Sequence, residues 1–387
     1  MAASLRESRD ARGWSSTKLQ VLMREAADRL GLVIAAPASM RVMISRWENG
    51  RAEPDPMYRL LLEEVFGLPA TTLGLAERDD AERQAVLSLA GSLPFVPDVN
   101  PGLVDYFAHQ LAEHVRLDNF SGPTYVIDTA AGQFRQVEQL AERGSPEMAR
   151  LAARFAEFTG WLLQDCGDAA EALRITERSV DLAQAASDAE LVTYNLMRKS
   201  NVLSSAGDRR LAVTTSTQAL AAASEDFPEL VPVCLRQHAL ASAQRGDERT
   251  ARDAIERALA LTYPVFGSAT ALSPYCTTSY VQMEAALSFL TLRQPAAAEH
   301  ACAEALAAWP AELVRDRSLC LVRRAMALAE LREVDEACRA ALLAIDGVRS
   351  APSGRVVHML RLVTSRLRPF SRNLNVRELT QALSGFP

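Results

Sequence analysis

The sequence predicts an all-α protein in two parts, a small N-terminal helical domain followed by a superhelix of repeated helix pairs. Three observations lead there. Alanine is abundant and aromatics make up only 6% of the 387 residues, which favours close-packed helices over sheets. Residues 39–54, SMRVMISRWENGRAEP, read as a short helix with one packed side and one basic side, closed by a turn. From Pro146 onward a pattern of small residues returns five times in one register.

Composition sets the bounds. A chain of this length can hold two or three domains around a large core, and 49% hydrophobic residues exclude global disorder. No apolar run reaches membrane-spanning length and the N-terminus lacks the apolar core of a secretion signal, so a cytoplasmic location without membrane contact is expected. Six cysteines are scattered without a CxxC pair and read as reduced, buried small hydrophobes. His109 and His114 are five apart, which spreads them around a helix, so no metal and no cofactor is expected. The net charge of −6 is uneven: residues 1–66 hold ten Lys/Arg against nine Asp/Glu, and the rest hold 32 against 39. The acidic remainder argues against a large nucleic-acid surface there.

Taken in order, residues 2–12 form a short polar helix closed by Gly13. Ser15 caps a second helix that runs to about Leu30, with Leu19, Leu22, Met23, Ala26 and Leu30 as its apolar stripe. The segment LVIAAPA leads to Ser39, the expected cap of the third helix. On that helix Ile44 and Trp47 share an apolar side, and Arg41, Val42, Ser45, Arg46 and Asn49 share the opposite one. Gly50 ends it in the left-handed conformation. A fourth helix from about Asp55 to Phe66 turns Tyr58, Leu61, Leu62 and Val65 inward.

The order RDARGWSS, helix, SMRVMISRWENGRAEP, helix resembles the XRE (Cro/repressor-like) helix-turn-helix family over roughly the first 70 residues. The resemblance implies that the third helix enters the major groove of a double-stranded DNA operator while the second lays its N-terminus on a phosphate. It places Arg41, Val42 and Arg46 where the family reads bases, with Ser45 as a fourth. Ser16 and Lys18 fall at the phosphate-contacting N-terminus, and Asn49 and Arg51 flank the turn near the DNA backbone. It also implies a pair between Arg9 and Glu48. The interval from Ser15 to Ser39 is longer than the compact family turn, so the second helix is extended or a loop bulges out.

Residues 76–101 include the Pro/Gly-rich GSLPFVPDVNPG and read as a linker between a head (1–75) and a body (102–387). Two amphipathic helices separated by SGP open the body. The repeats follow. Asp168, Asp208 and Asp247 each come after a glycine, so each Gly-Asp is a helix–turn–helix corner with glycine ending one helix and aspartate capping the next. Ala172, Ala212 and Ala251 lie four residues on, and Ser179, Ala219 and Ala258 eleven on. The spacing persists without Gly-Asp at Gln294 (Ala298, Ala305) and Glu333 (Ala337, Ala344). These helix pairs resemble tetratricopeptide (TPR) repeats over about residues 146–346, with corners 40, 39, 47 and 39 apart. GRVVHMLRLVTSRL and VRELTQALSG are expected to cap the last repeat.

No nucleophile elbow, P-loop, dinucleotide fingerprint or zinc spacing occurs, so no enzyme is expected. Polar residues on the first helix of each pair are the candidate ligand set: Asn195, Arg198 and Asn201 at three-residue steps, then Arg236 and Gln237 one repeat later. Asparagine can bond both groups of a peptide backbone, and arginine can hold a carboxylate bidentately. The other reading of these residues is a plain exposed helix face. An XRE head on a TPR body resembles the peptide-responsive RRNPP regulators and multi-domain actinobacterial regulators. That implies a homodimeric transcriptional regulator with a peptide or small-molecule effector. The alternative is a TPR adaptor whose head serves protein contacts or tethers it to DNA; salt-dependent, sequence-selective DNA binding separates the two.

Overall fold

The computed structural model describes residues 4–29, 34, 35, 37–75, 101–143, 145–262, 272–309 and 313–386. All regular structure among them is helical, and none of these helices is long and apolar enough to cross a membrane. The chain divides into two compact units, 1–98 and 99–387. The expected linker, 76–101, lies outside the described residues except for Pro101, as do Leu30, Leu32, Val33 and Ala36.

In the first unit α1 (Leu5–Ala11) opens with a capping box, Ser4 Oγ accepting from the Glu7 amide and Glu7 accepting from the Ser4 amide. Two reciprocal bonds satisfy two otherwise orphaned donors, which is why so short a helix persists. Ser15 caps α2 (Ser16–Arg29) by accepting from the Lys18 amide. The third helix, α3 (Pro37–Glu48), begins two residues before Ser39, the residue read as its cap. Pro37 explains the difference, since its fixed φ suits the first helical position. Asp55 caps α4 (Pro56–Phe66), and a 3₁₀ turn follows over Ala70–Leu73. Leu19, Met23, Met40, Ile44, Trp47, Leu61 and Leu62 build one core, with Trp47 tilted against Tyr58. Val65 packs at its margin, half-buried.

The second unit starts with α5 (Pro101–Ser121) and α6 (Pro123–Ala141). Five antiparallel pairs follow: α7 (Pro146–Cys166) with α8 (Ala169–Ala185), α9 (Ala189–Ala206) with α10 (Arg209–Asp226), α11 (Val231–Gln244) with α12 (Glu248–Leu261), α13 (Thr278–Thr291) with α14 (Pro295–Ala307), and α15 (Val314–Glu330) with α16 (Val334–Ser350). The corners follow the sequence pattern. Asp168, Asp208 and Asp247 each accept from the amide three residues on, and Gly167, Gly207 and Gly246 have positive φ. At the two corners without glycine, Arg293 and Arg332 take φ of 60° and 64° instead. Ala172, Ala212, Ala251, Ala298 and Ala337 are fully buried, as side chains must be where two helices approach closely.

The C-terminal helices pack on the last pair as expected, α17 (Gly354–Leu367) on α15 and α16 and α18 (Leu374–Leu383) on α16, with Val356, Leu360 and Val363 in the same core. Beyond that expectation, α17 also reaches α7 at the start of the array. Two glycines permit this return. A Cβ on Gly354 would stand 2.6 Å from the Asp165 carbonyl oxygen, and one on Gly122 would stand 2.4 Å from that of Pro352.

Candidate functional site

The head presents one face of α3 to solvent. Met40, Ile44 and Trp47 seat the helix, while Arg41, Val42, Ser45 and Arg46 are exposed, Val42 by 54%. Glu48, at the end of the helix, receives the Arg9 guanidinium twice, from Nε at 2.5 Å and Nη2 at 3.3 Å. Arg9 also donates to the Trp14 carbonyl at 2.6 Å, so α1, the turn and α3 are tied by one planar fork. The bond to Glu48 raises the Arg9 pKa against the lowering effect of burial. Arg9 and Glu48 therefore pair as the resemblance implied.

Asn49 sits at the C-terminal end of α3, its amide donating to the Ser45 carbonyl at 2.6 Å and its oxygen accepting from Arg6 at 2.9 Å. Arg6, which the sequence reading passed over, thereby joins α1 to the end of the exposed face. Lys18 and Arg51 are exposed and Ser16 is half-buried. No shape of groove or DNA is needed to see the division: the apolar side is used up by the core, and the basic side is not.

In the body the five candidate ligand residues are not an exposed face. Arg198, Arg236, Gln237 and Asn195 are each 4% exposed or less. Asn195 donates to the Ser179 carbonyl of α8 at 3.0 Å and serves the contact between successive pairs. The other four join a polar chain crossing all five pairs. Arg198 pairs with Glu157 at 2.8 Å and donates to Gln164 and Asn201; Asn201 donates to Gln237, which also accepts from Arg236. Arg236 lies 3.6 Å from Glu284, and Arg323 bonds the same carboxylate at 2.8 Å. Burial alone would raise the Glu284 pKa, but Arg323 and Arg236 together hold it below the usual carboxylate range.

Glu284 and Arg323 were missed, yet a signal existed. Arg198, Gln237, Glu284 and Arg323 each stand ten residues before a corner residue, Asp208, Asp247, Gln294 and Glu333 respectively. Equal register places them on the same side of successive inner helices.

A second cluster joins the two ends of the array. Asp118 of α5 pairs with Arg315 of α15, and Asp165 of α7 accepts from Ser353 at 3.0 Å and Arg355 Nε at 2.6 Å. The Trp161 ring lies among three guanidiniums, those of Arg355, Arg198 and Arg315, at 4.4, 5.2 and 5.2 Å. Burial raises the Asp118 pKa, against the lowering effect of Arg315.

Between the inner helices and α17 lies a cavity of about 900 Å³. Gln164, Asn201 and Ser205 contribute its polar rim on one side, and Arg355 and His358 on the other. Asn201 alone of the five candidates lines it.

The body is built as TPR-like arrays are. A solved structure titled as Rap protein complexed with competence and sporulation factor matches 96% of this chain and 98% of its own, with 11% identity and a TM-score of 0.50. The likeness is one of fold. The apo form of the quorum sensor NprR from B. thuringiensis matches 79% of this chain and 89% of its own, with 13% identity and a TM-score of 0.43. No family model and no curated protein matches the sequence.

Proposed function

We propose that this chain is a sequence-specific DNA-binding transcriptional regulator, not an enzyme, that works in the cytoplasm as a homodimer and whose body senses a peptide or small molecule. The observation that carries the DNA-binding reading is the division of α3: Met40, Ile44 and Trp47 are buried, while Arg41, Val42, Ser45 and Arg46 face solvent on a helix clamped by Arg9 and Glu48. Arginine can bond guanine O6 and N7 bidentately and valine can touch a thymine methyl, so this residue set suits a major groove. Ser16 and Lys18 at the start of α2 are the phosphate contacts of the same docking, and Asn49 and Arg51 lie near the DNA backbone. A single head offers a small interface, so two heads on half-sites about one helical turn apart are required for tight binding.

The sensing reading is supported by the likeness to Rap, whose structure holds competence and sporulation factor, and by the cavity beside Asn201. Selection of bound fragments from a genomic library by the full chain, followed by titration at several salt concentrations, tests the first part. A shared motif with a salt-dependent affinity is the expected result; salt-dependent binding without any motif, or none at all, sinks it.

A further inference from the structure

The first helix of the body offers more apolar surface than the fold uses. On α5, Phe107, Leu111, His114 and Asp118 are buried, a single stripe that packs on α6 and α7. Turned by about 100° around the helix from that stripe runs a second one, Tyr106, Gln110, Glu113, Leu117 and Phe120. Its steps of four, three, four and three residues are those of a seam between two helices. Among the described residues the only exposed aromatic side chains are Tyr106, Phe120 and Tyr125, and Val115 and Leu117 are exposed between them. A stacked array stays soluble by giving its terminal units a polar outer face. Here α5 opens the array and presents rings instead, Phe120 by 67%.

The stripe is complementary to itself when reversed. In an antiparallel pair of α5 helices, Tyr106 of one copy meets Leu117 of the other, Gln110 meets Glu113, and Phe120 falls beside the partner's Leu103. Every contact then occurs twice, as a two-fold axis requires. The one acid of the stripe meets an amide, and Arg116 lies 3.5 Å from it on its own helix. A parallel pair in register would set Glu113 against its own copy, which is unfavourable. Reversal also spaces the ends. Pro101 of one copy lies opposite residue 122 of the other, so the points where the two chains enter their bodies stand about 30 Å apart along the helices. Half-sites one helical turn apart are separated by about 34 Å, a comparable distance.

We propose that this stripe of α5 is the interface with a second copy of the chain, joined antiparallel about a two-fold axis. The proposal rests on the dimeric reading given above and names the surface that makes the dimer. Tyr106 and Phe120 are its anchors, because aromatic rings supply the largest buried area per residue.

Sedimentation velocity of the full chain over a concentration series, together with cysteine cross-linking, tests it. The chain is a dimer, and Leu117→Lys/Phe120→Lys weakens the dimer at least tenfold while its circular dichroism is unchanged. Leu343→Lys, at another exposed leucine on α16, leaves the dimer intact. In a Cys166→Ser background, which removes the exposed native thiol, Tyr106→Cys/Leu117→Cys cross-links two copies under mild oxidation and neither single variant does. The two positions are about 16 Å apart along one helix, too far to be bridged within a chain. A chain that is monomeric at every concentration, a dimer that the lysine pair leaves unchanged, or a cross-link formed by Tyr106→Cys alone overturns the proposal. Binding of the selected DNA fragments by the same samples keeps the two readings apart. A dimer that survives the lysine pair and binds DNA overturns the interface and leaves the regulator standing. A dimer that the lysine pair disrupts, in a chain that binds no DNA, leaves the interface standing and overturns the regulator.

Discussion

The head and the body use arginine in opposite ways. In the head Arg41 and Arg46 are exposed and have no ion-pair partner among the described residues, with Val42 exposed beside them. In the body Arg198, Arg236 and Arg323 are 3–4% exposed, and each meets a carboxylate, Glu157 or Glu284. A solvated guanidinium keeps its donors for another molecule, while a buried one has committed them to the fold. The same residue type is thus left open to solvent in one unit and built into a structural spine in the other. Burial, not identity, tells them apart.

The largest effect that would sharpen this contrast comes from Glu284. Removing it with Glu284→Ala leaves two buried guanidiniums without their shared partner, and loss of one member of a buried pair costs about 3–5 kcal/mol. Urea unfolding of the variant checks it. A loss below about 1 kcal/mol would mean that the spine is as dispensable as a surface pair. The pH dependence has a definite sign. Because the folded pKa of Glu284 is depressed, its contribution is present above the unfolded value of about 4.3 and is lost as pH falls through the folded value. Glu284→Gln therefore loses stability less steeply on acidification than the parent.

Within the head, Glu48→Ala tests an arginine that behaves like those of the body. Arg9 and Glu48 have side chains 13% and 6% exposed, so their charged hydrogen bonds are worth about 1.5–3 kcal/mol. Thermal unfolding should register that loss. A change of a few tenths of a kcal/mol would place the pair with ordinary surface ion pairs.

How far the sequence revealed these roles depended on whether the pattern was local. The Gly-Asp corners were legible because each corner is solved within a few residues: Gly207 takes positive φ and Asp208 caps, whatever surrounds them. The corners at Arg293 and Arg332 keep the geometry without the glycine, so there only the distant spacing of alanines betrayed the turn. The helices of the head were legible for the same reason, whereas the Arg9–Glu48 pair, 39 residues apart, was legible only through the resemblance. The spine was half legible. Arg198 and Gln237 attracted notice as polar residues on inner helices, but their burial depends on contacts some 36–41 residues away, which no local pattern encodes. The closure of the array was not legible at all, since Asp118–Arg315 and Asp165–Arg355 join residues 197 and 190 positions apart.

Arg46→Ala and Arg41→Ala probe the opposite pole of the contrast. Both residues are exposed and away from the core, so each substitution should leave stability within about 0.5 kcal/mol. Binding should change instead, by about 1–3 kcal/mol of discrimination at one base position per arginine. Competition assays with operator variants measure it once the motif is known. Equal losses on every sequence would reassign both arginines to phosphates.

The smallest effect belongs to Lys18, and it separates two kinds of exposed cation. Lys18 is solvent-exposed in the first turn of α2, where the N-terminal end of the helix carries partial positive charge and suits a phosphate. A lysine there is a point charge on a flexible stem and carries no base preference. Its contribution should come from release of counterions, so Lys18→Ala should weaken binding to all sequences alike and reduce the slope of log K against log salt by about 0.9. The Arg46 variant should keep that slope while losing selectivity. Measuring both variants at four salt concentrations, on the selected motif and on a scrambled duplex, gives the two quantities together. If Lys18→Ala alters selectivity and not slope, α2 docks otherwise than its N-terminus suggests, and the division of labour between α2 and α3 has to be redrawn.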